Sequence, residues 1–227
     1  MSWRCASAAA LVFAAAASAG PEPATVSLRD LVLETQQLSD RMPRITMAWW
    51  MPSEFWRYSV EQSPGGSAHM GSEIVKVVSP YLIVAVVDGD VGPLGGVGYK
   101  DPDQLRKEVT VVTAGGAVLQ PIAEADASPD VRNLLAMMRP MMANNLGQMG
   151  QSVTPMLFPA LDPSGQRVAD ATRPGSFKLV VDDLQFEFRT PLASLVPKRR
   201  CPVDGEALSG NWQYCPWHGK PLAAPED

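Results

Sequence analysis

Two short units near the C-terminus carry the residues best suited to chemistry: Cys201-Pro202-Val203-Asp204-Gly205 and Cys215-Pro216-Trp217-His218-Gly219. Each cysteine is followed, after two intervening residues, by a second residue that can donate to a metal, Asp204 or His218. Proline stiffens the start of such a turn and glycine tolerates a positive φ at its end, so both donors of a unit can face one ion. Two thiolates, an imidazole and a carboxylate form a permitted zinc set, although the carboxylate is a harder ligand than its partners. The same cysteines allow a different outcome. A Cys201–Cys215 disulfide would close a loop of about 15 residues and constrain the unfolded chain by about 3 kcal/mol. His218 is then a surface residue and Asp204 a turn residue.

The paired units, with Gly210-Asn211-Trp212-Gln213-Tyr214 leading into the second, resemble the knuckles of bacterial zinc ribbons. Asp204 and His218 stand where such ribbons carry the second cysteine of each knuckle, so the likeness is to a degenerate ribbon. It implies a structural zinc ion held by Cys201, Asp204, Cys215 and His218. It also implies a hairpin over Glu206–Tyr214, turning at Ser209-Gly210-Asn211, with Trp212, Tyr214, Trp217 and Leu222 covering a small core.

The start of the chain reads as an export signal: Arg4, the apolar run Ala6–Ala17, then Ala17-Ser18-Ala19 as a small-residue cleavage site before Gly20. The run is short for a membrane span, and no other stretch is long and apolar enough to be one. Cleavage removes Cys5 and leaves Cys201 and Cys215. A periplasmic or secreted location follows as an expectation, and an oxidising compartment is what gives the disulfide its weight. The formal charge of −5 argues against nucleic-acid partners. Lys198-Arg199-Arg200, the only basic cluster, reads as a linker.

Other constellations carry less. Met137, Met138, Met141 and Met142, with Met149 and Met156 beyond, could bind copper through thioethers, but no histidine or cysteine accompanies them and methionine also packs irregular cores. Met47–Trp56 is rich in aromatics and reads as core. His69, in a Gly/Ser-rich stretch, reads as exposed. No nucleophile elbow, phosphate loop or His-Glu-x-x-His motif occurs.

The elements that must position the terminal units follow from patterning. Leu28–Asp40 reads as a helix ended by Pro43. Ile45–Met51 fits a strand or a helix, with Ser53 able to cap a helix after it. Ile74–Val78 and Tyr81–Val87 read as strands, and glycine-rich Asp88–Gly98 as loop. Val109–Thr113 and Val118–Ile122 flank a Gly-Gly hairpin turn. Ser128-Pro129 caps a helix over about 129–147, kinked at Pro140, and Met156–Leu161 is a strand. Over Ser176–Leu192, a two-residue turn at Asp182-Asp183 pairs Val181 with Leu184, Leu179 with Phe186 and Phe177 with Phe188, all on one face. The strands call for a mainly β fold with some α. The expected organisation is a signal peptide (1–19), an N-terminal helical segment (20–66), an antiparallel β-sandwich with an inserted helix (67–197) and the ribbon-like tail (198–227). The strand order weakly resembles immunoglobulin-like domains of exported bacterial proteins. The resulting expectation is a non-enzymatic binding or assembly module of the cell envelope, acting on a protein partner. A periplasmic copper- or zinc-handling protein and a hydrolase with an unrecognised site are the alternatives.

Overall fold

The computed structural model describes residues 26–39 and 41–223. The expected export signal lies outside them. The described chain runs α1 (Leu28–Thr35), β1 (Gln36–Leu38), β2 (Arg44–Met51), α2 (Ser53–Glu61), α3 (Ala68–Val78), β3 (Tyr81–Val91), β4 (Val97–Tyr99), α4 (Pro102–Glu108), β5 (Val109–Thr113), β6 (Val118–Leu119), α5 (Pro129–Gln151), β7 (Thr154–Pro159), β8 (Gly175–Val181), β9 (Leu184–Thr190), β10 (Arg199–Arg200) and β11 (Ala207–Leu208). The fold is mixed α/β with antiparallel sheets. No helix among the described residues is long and apolar enough to cross a membrane.

The larger sheet is built on β3. β2 pairs along one edge of it, Met51 opposite Ile83 through Arg44 opposite Asp90, and β1 extends that side. The other edge is shared: β7 takes Tyr81–Val86 and β4 takes Gly89–Val91. A strand covered on both faces shows no apolar alternation, which explains the unbroken run Leu82–Val87. Its Leu82, Val84 and Val86, with Ala48, Trp50, Met156 and Phe158, pack toward the second sheet. Ile83, Ala85 and Val87, with Met47, Met51 and Leu157, pack with Trp56 of α2, Val78 of α3 and Val131, Leu135, Met138 and Met142 of α5.

The second sheet has the order β6-β5-β8-β9. Its β8–β9 hairpin has the register that the sequence pattern requires, with Val181 opposite Leu184, Leu179 opposite Phe186 and Phe177 opposite Phe188. Asp182 takes the positive φ of the turn, 56°. Phe177 and Phe188 stack with centroids 5.0 Å apart, and Trp50 meets them edge-on at 5.2 and 6.1 Å. This aromatic contact joins the sheets.

Several expectations need correction. Ile74–Val78 is the last part of a helix, not a strand. Ser67 accepts the Met70 N–H as its N-cap, and Ile74, Val77 and Val78 pack together at helical spacing. Gly71 lets α3 approach α2, since a Cβ there would meet the Glu61 carboxylate at 2.5 Å. Only the middle of Asp88–Gly98 is a turn, over Gly92–Gly96, because β3 continues to Val91 and β4 returns from Val97. The first helix stops at Thr35, where the chain turns extended into β1. Ile45–Met51 lies in a strand, and Ser53 is the first residue of α2, not its cap; Pro52 holds that position. Ser128 caps α5 as expected. That helix keeps Pro140 inside it and breaks at Gly147, with φ 59° and ψ −134°.

A buried ion cluster also ties the layers together. The Asp88 side chain has no exposed surface. It accepts from Arg44 Nε and Nη2 at 2.8 and 2.7 Å and from the Thr46 hydroxyl at 2.6 Å, and it pairs with Lys100 Nζ at 2.9 Å. Lys100 reaches on to Glu108 of α4 at 2.7 Å, and Arg44 Nη1 to Asp183 and Asp182 of the β8–β9 turn at 2.7 and 3.3 Å.

Candidate metal centre

β10 and β11 pair antiparallel around the first terminal unit. The two units fold alike. The cysteine N–H donates to the residue five positions on (Cys201 to Glu206 at 2.9 Å, Cys215 to Lys220 at 2.8 Å), and the glycine N–H returns to the cysteine carbonyl (Gly205 at 2.9 Å, Gly219 at 2.8 Å). Gly205 and Gly219 have φ of 75° and 61°, the conformation for which glycine stands there. A Tyr214–Pro221 bridge flanks the second unit as the β10–β11 pair flanks the first. Each unit thus closes its own small hairpin. This differs from the single hairpin expected over Glu206–Tyr214, because Ala207-Leu208 pairs backward with Arg199-Arg200, and the link at Ser209–Trp212 is only a turn.

The repeated turn aims both thiols inward. Cys201 and Cys215 are buried free thiols and form a separate core with Leu208 and Leu222. His218 Nδ1 lies 3.4 Å from both sulfurs. The ligand atoms of Cys201, Cys215 and His218 all lie within 4.8 Å of one another, close enough to hold one metal ion. With metal–sulfur and metal–nitrogen bonds of about 2.3 and 2.05 Å, a tetrahedron has a sulfur–nitrogen edge of about 3.6 Å. The two observed edges fit.

Asp204 stands differently. It is outside that mutually close set. One oxygen accepts the Glu206 N–H at 3.0 Å, and the other is 3.8 Å from His218 Nδ1. The Glu206 N–H, then contact with the Cys201 thiol, holds its carboxyl below the usual range.

The thiols differ in acidity. Burial pushes Cys201 up, and the Asp204 and Val203 N–H groups only partly oppose it. Burial acts on Cys215 in the same direction, but the N–H groups of His218 and Trp217 and the His218 ring outweigh it, so its value is lowered. Backbone N–H groups directed at sulfur favour the thiolate, the form that binds metal.

The other candidates fall elsewhere. Met138, Met142 and Met156 are core residues and Met149 is partly buried against the core, whereas Met137 is exposed. The side chain of Met141 lies outside the described residues. Met47, Trp50, Met51 and Trp56 are buried, as expected of that segment, and His69 is exposed. Two of the clefts on the body are lined by polar and charged side chains. One, of about 270 Å³, is lined in part by Trp50, Ser53, Glu54, Tyr81, Arg167 and Asp170. The other, of about 610 Å³, includes Arg106, Arg139 and Thr154, whose buried hydroxyl has no partner among the described residues. Neither is lined by a cysteine or a histidine. Sequence reasoning missed the Asp88 cluster entirely, and only its flanking turn, Asp182-Asp183, left a sequence signal.

Comparison with protein-family models, with curated proteins and with solved structures finds no match to this chain.

Proposed function

We propose that this protein is a non-enzymatic binding or assembly module of the cell envelope, with a small ribbon-like tail built around one zinc ion. The observation that carries the metal reading is the approach of His218 Nδ1 to both cysteine sulfurs at 3.4 Å. The sulfur and imidazole donor set suits zinc among the common metals. With so small a core of its own, the tail needs a staple. The body is read as an immunoglobulin-like sandwich whose outer face is covered by helices. Exposed apolar side chains concentrate on the tail, where Val203, Trp212, Tyr214 and Trp217 face solvent, and this supports a protein partner at that end. The export signal of the sequence motivates the envelope location.

Native mass spectrometry of the purified full chain, with thiol titration, tests this reading. One zinc per chain and two thiols titratable on denaturation are expected. A metal-free chain two hydrogens lighter than its sequence mass would replace the zinc with a Cys201–Cys215 disulfide. Copper bound in place of zinc, and lost on substitution of Met137 and Met141, would favour the metal-handling alternative.

A further inference from the structure

We propose that the metal held by Cys201, Cys215 and His218 keeps its fourth coordination position for a thiolate supplied from outside the chain. The inference rests on the metal reading above and goes beyond it, because a purely structural zinc site is closed by four protein ligands, whereas three ligands leave a position for exchange.

Three observations support it. First, the mutually close donor set stops at three residues. Second, the remaining candidate, Asp204, touches the Cys201 thiol but commits one oxygen to its own turn. One of its oxygens accepts the Glu206 N–H at 3.0 Å, a bond that shapes its own turn, and the other is 3.8 Å from His218 Nδ1. A tetrahedral oxygen–nitrogen edge would be about 3.4 Å. Drawing Asp204 fully onto the ion would strain the bond to Glu206. Third, the open side is accessible: the Asp204 and His218 side chains are 43% and 35% exposed, and Trp217 beside them is 72% exposed.

The class of the incoming donor follows from charge and softness. A divalent ion with two thiolates and a neutral imidazole is formally neutral. The tail balances Lys198, Arg199, Arg200 and Lys220 against Asp204, Glu206, Glu226 and Asp227, so its charge does not oppose an incoming anion. Two sulfur ligands already make the site soft, which selects sulfur over carboxylate. On binding, the incoming thiol would give its proton to solvent and its sulfur would replace the water of the fourth position, with no protein ligand leaving.

Cobalt(II) substitution of the full chain, with a phosphine as reductant, reads the site directly. Wild type is expected to bind one cobalt with sulfur-to-metal charge-transfer absorption. Added 2-mercaptoethanol should raise that absorption by about half, as two coordinated sulfurs become three. Asp204→Ala should bind cobalt with less than about tenfold loss of affinity and respond identically. An absorption unchanged by the thiol, cobalt stripped from the protein by it, or an Asp204→Ala variant weakened beyond tenfold would overturn the open position while leaving a closed metal site. Failure of wild type to take up cobalt would overturn the metal reading itself, and Cys215→Ser supplies the signal of that failure.

Discussion

Asp88 is a fully buried carboxylate that remains an anion. Burial works to raise its pKa, but hydrogen bonds from Arg44, Thr46 and Lys100 outweigh that effect and hold it below its ordinary value of 3.8. A carboxylate depressed by folding adds stability that is fully present above the ordinary value and is lost as pH falls through the folded one. Stability measured by denaturant unfolding should therefore fall below about pH 4, and Asp88→Asn should flatten that dependence. At neutral pH the same variant should cost roughly 3 kcal/mol, because it leaves Arg44 and Lys100 facing a buried neutral group. None of this was legible in the sequence. Asp88 begins a glycine-rich stretch, and its partners lie 44 residues before it and 12 after it. Cys201, Cys215 and His218, by contrast, were legible because their spacing within each turn is local. The position of Asp204 was not, since the Glu206 N–H that claims it is a matter of turn geometry.

Elements were readable where one period dominated. In β8–β9 the alternation of Phe177, Leu179 and Val181 with the less buried Ser176, Lys178 and Val180 fixes the face, and a one-residue slip would send those side chains to water. In α3 the β-branched residues Ile74, Val75, Val77 and Val78 suggested a strand. The Ser67 cap and the packing of Ile74, Val77 and Val78 on the sheet override that propensity. Two substitutions probe these contacts. Trp50→Ala removes the ring that joins the two sheets and should cost about 3–5 kcal/mol in denaturant melts. Gly150→Ala should also destabilise, because its Cβ would collide with the Met142 carbonyl oxygen, a backbone atom that cannot swing aside. A neutral Gly150→Ala would mean that the end of α5 repacks freely.

Across the whole molecule, the tail core of Cys201, Leu208, Cys215 and Leu222 shares no member with the two body clusters. Chelation should therefore act locally. Hydrogen exchange after metal removal is expected to speed up across Arg199–Leu222 and stay slow in β3, β8 and β9. Equal loss of protection in β8 and β9 would show that the tail supports the body. The layered arrangement of a helix-covered sheet against a second sheet was only partly visible in advance. Strand character could be read along the chain, but the pairing of β3 with both β2 and the distant β7 could not.

The Asp88 cluster has a kinetic meaning as well. Arg44 and Asp183 are 139 residues apart, so their contact exists only after the β8–β9 turn has come to rest against β2. Closing so long a loop costs entropy before the contact repays it, and this largely exposed turn is expected to dock after the rate-limiting barrier. Loss of the contact should then leave the folding rate nearly unchanged and accelerate unfolding. Stopped-flow measurements on Asp183→Ala, which removes that contact, should show nearly the whole stability loss in the unfolding limb of the chevron. The cluster would then act chiefly as a latch that sets how long the native state lasts once it has formed.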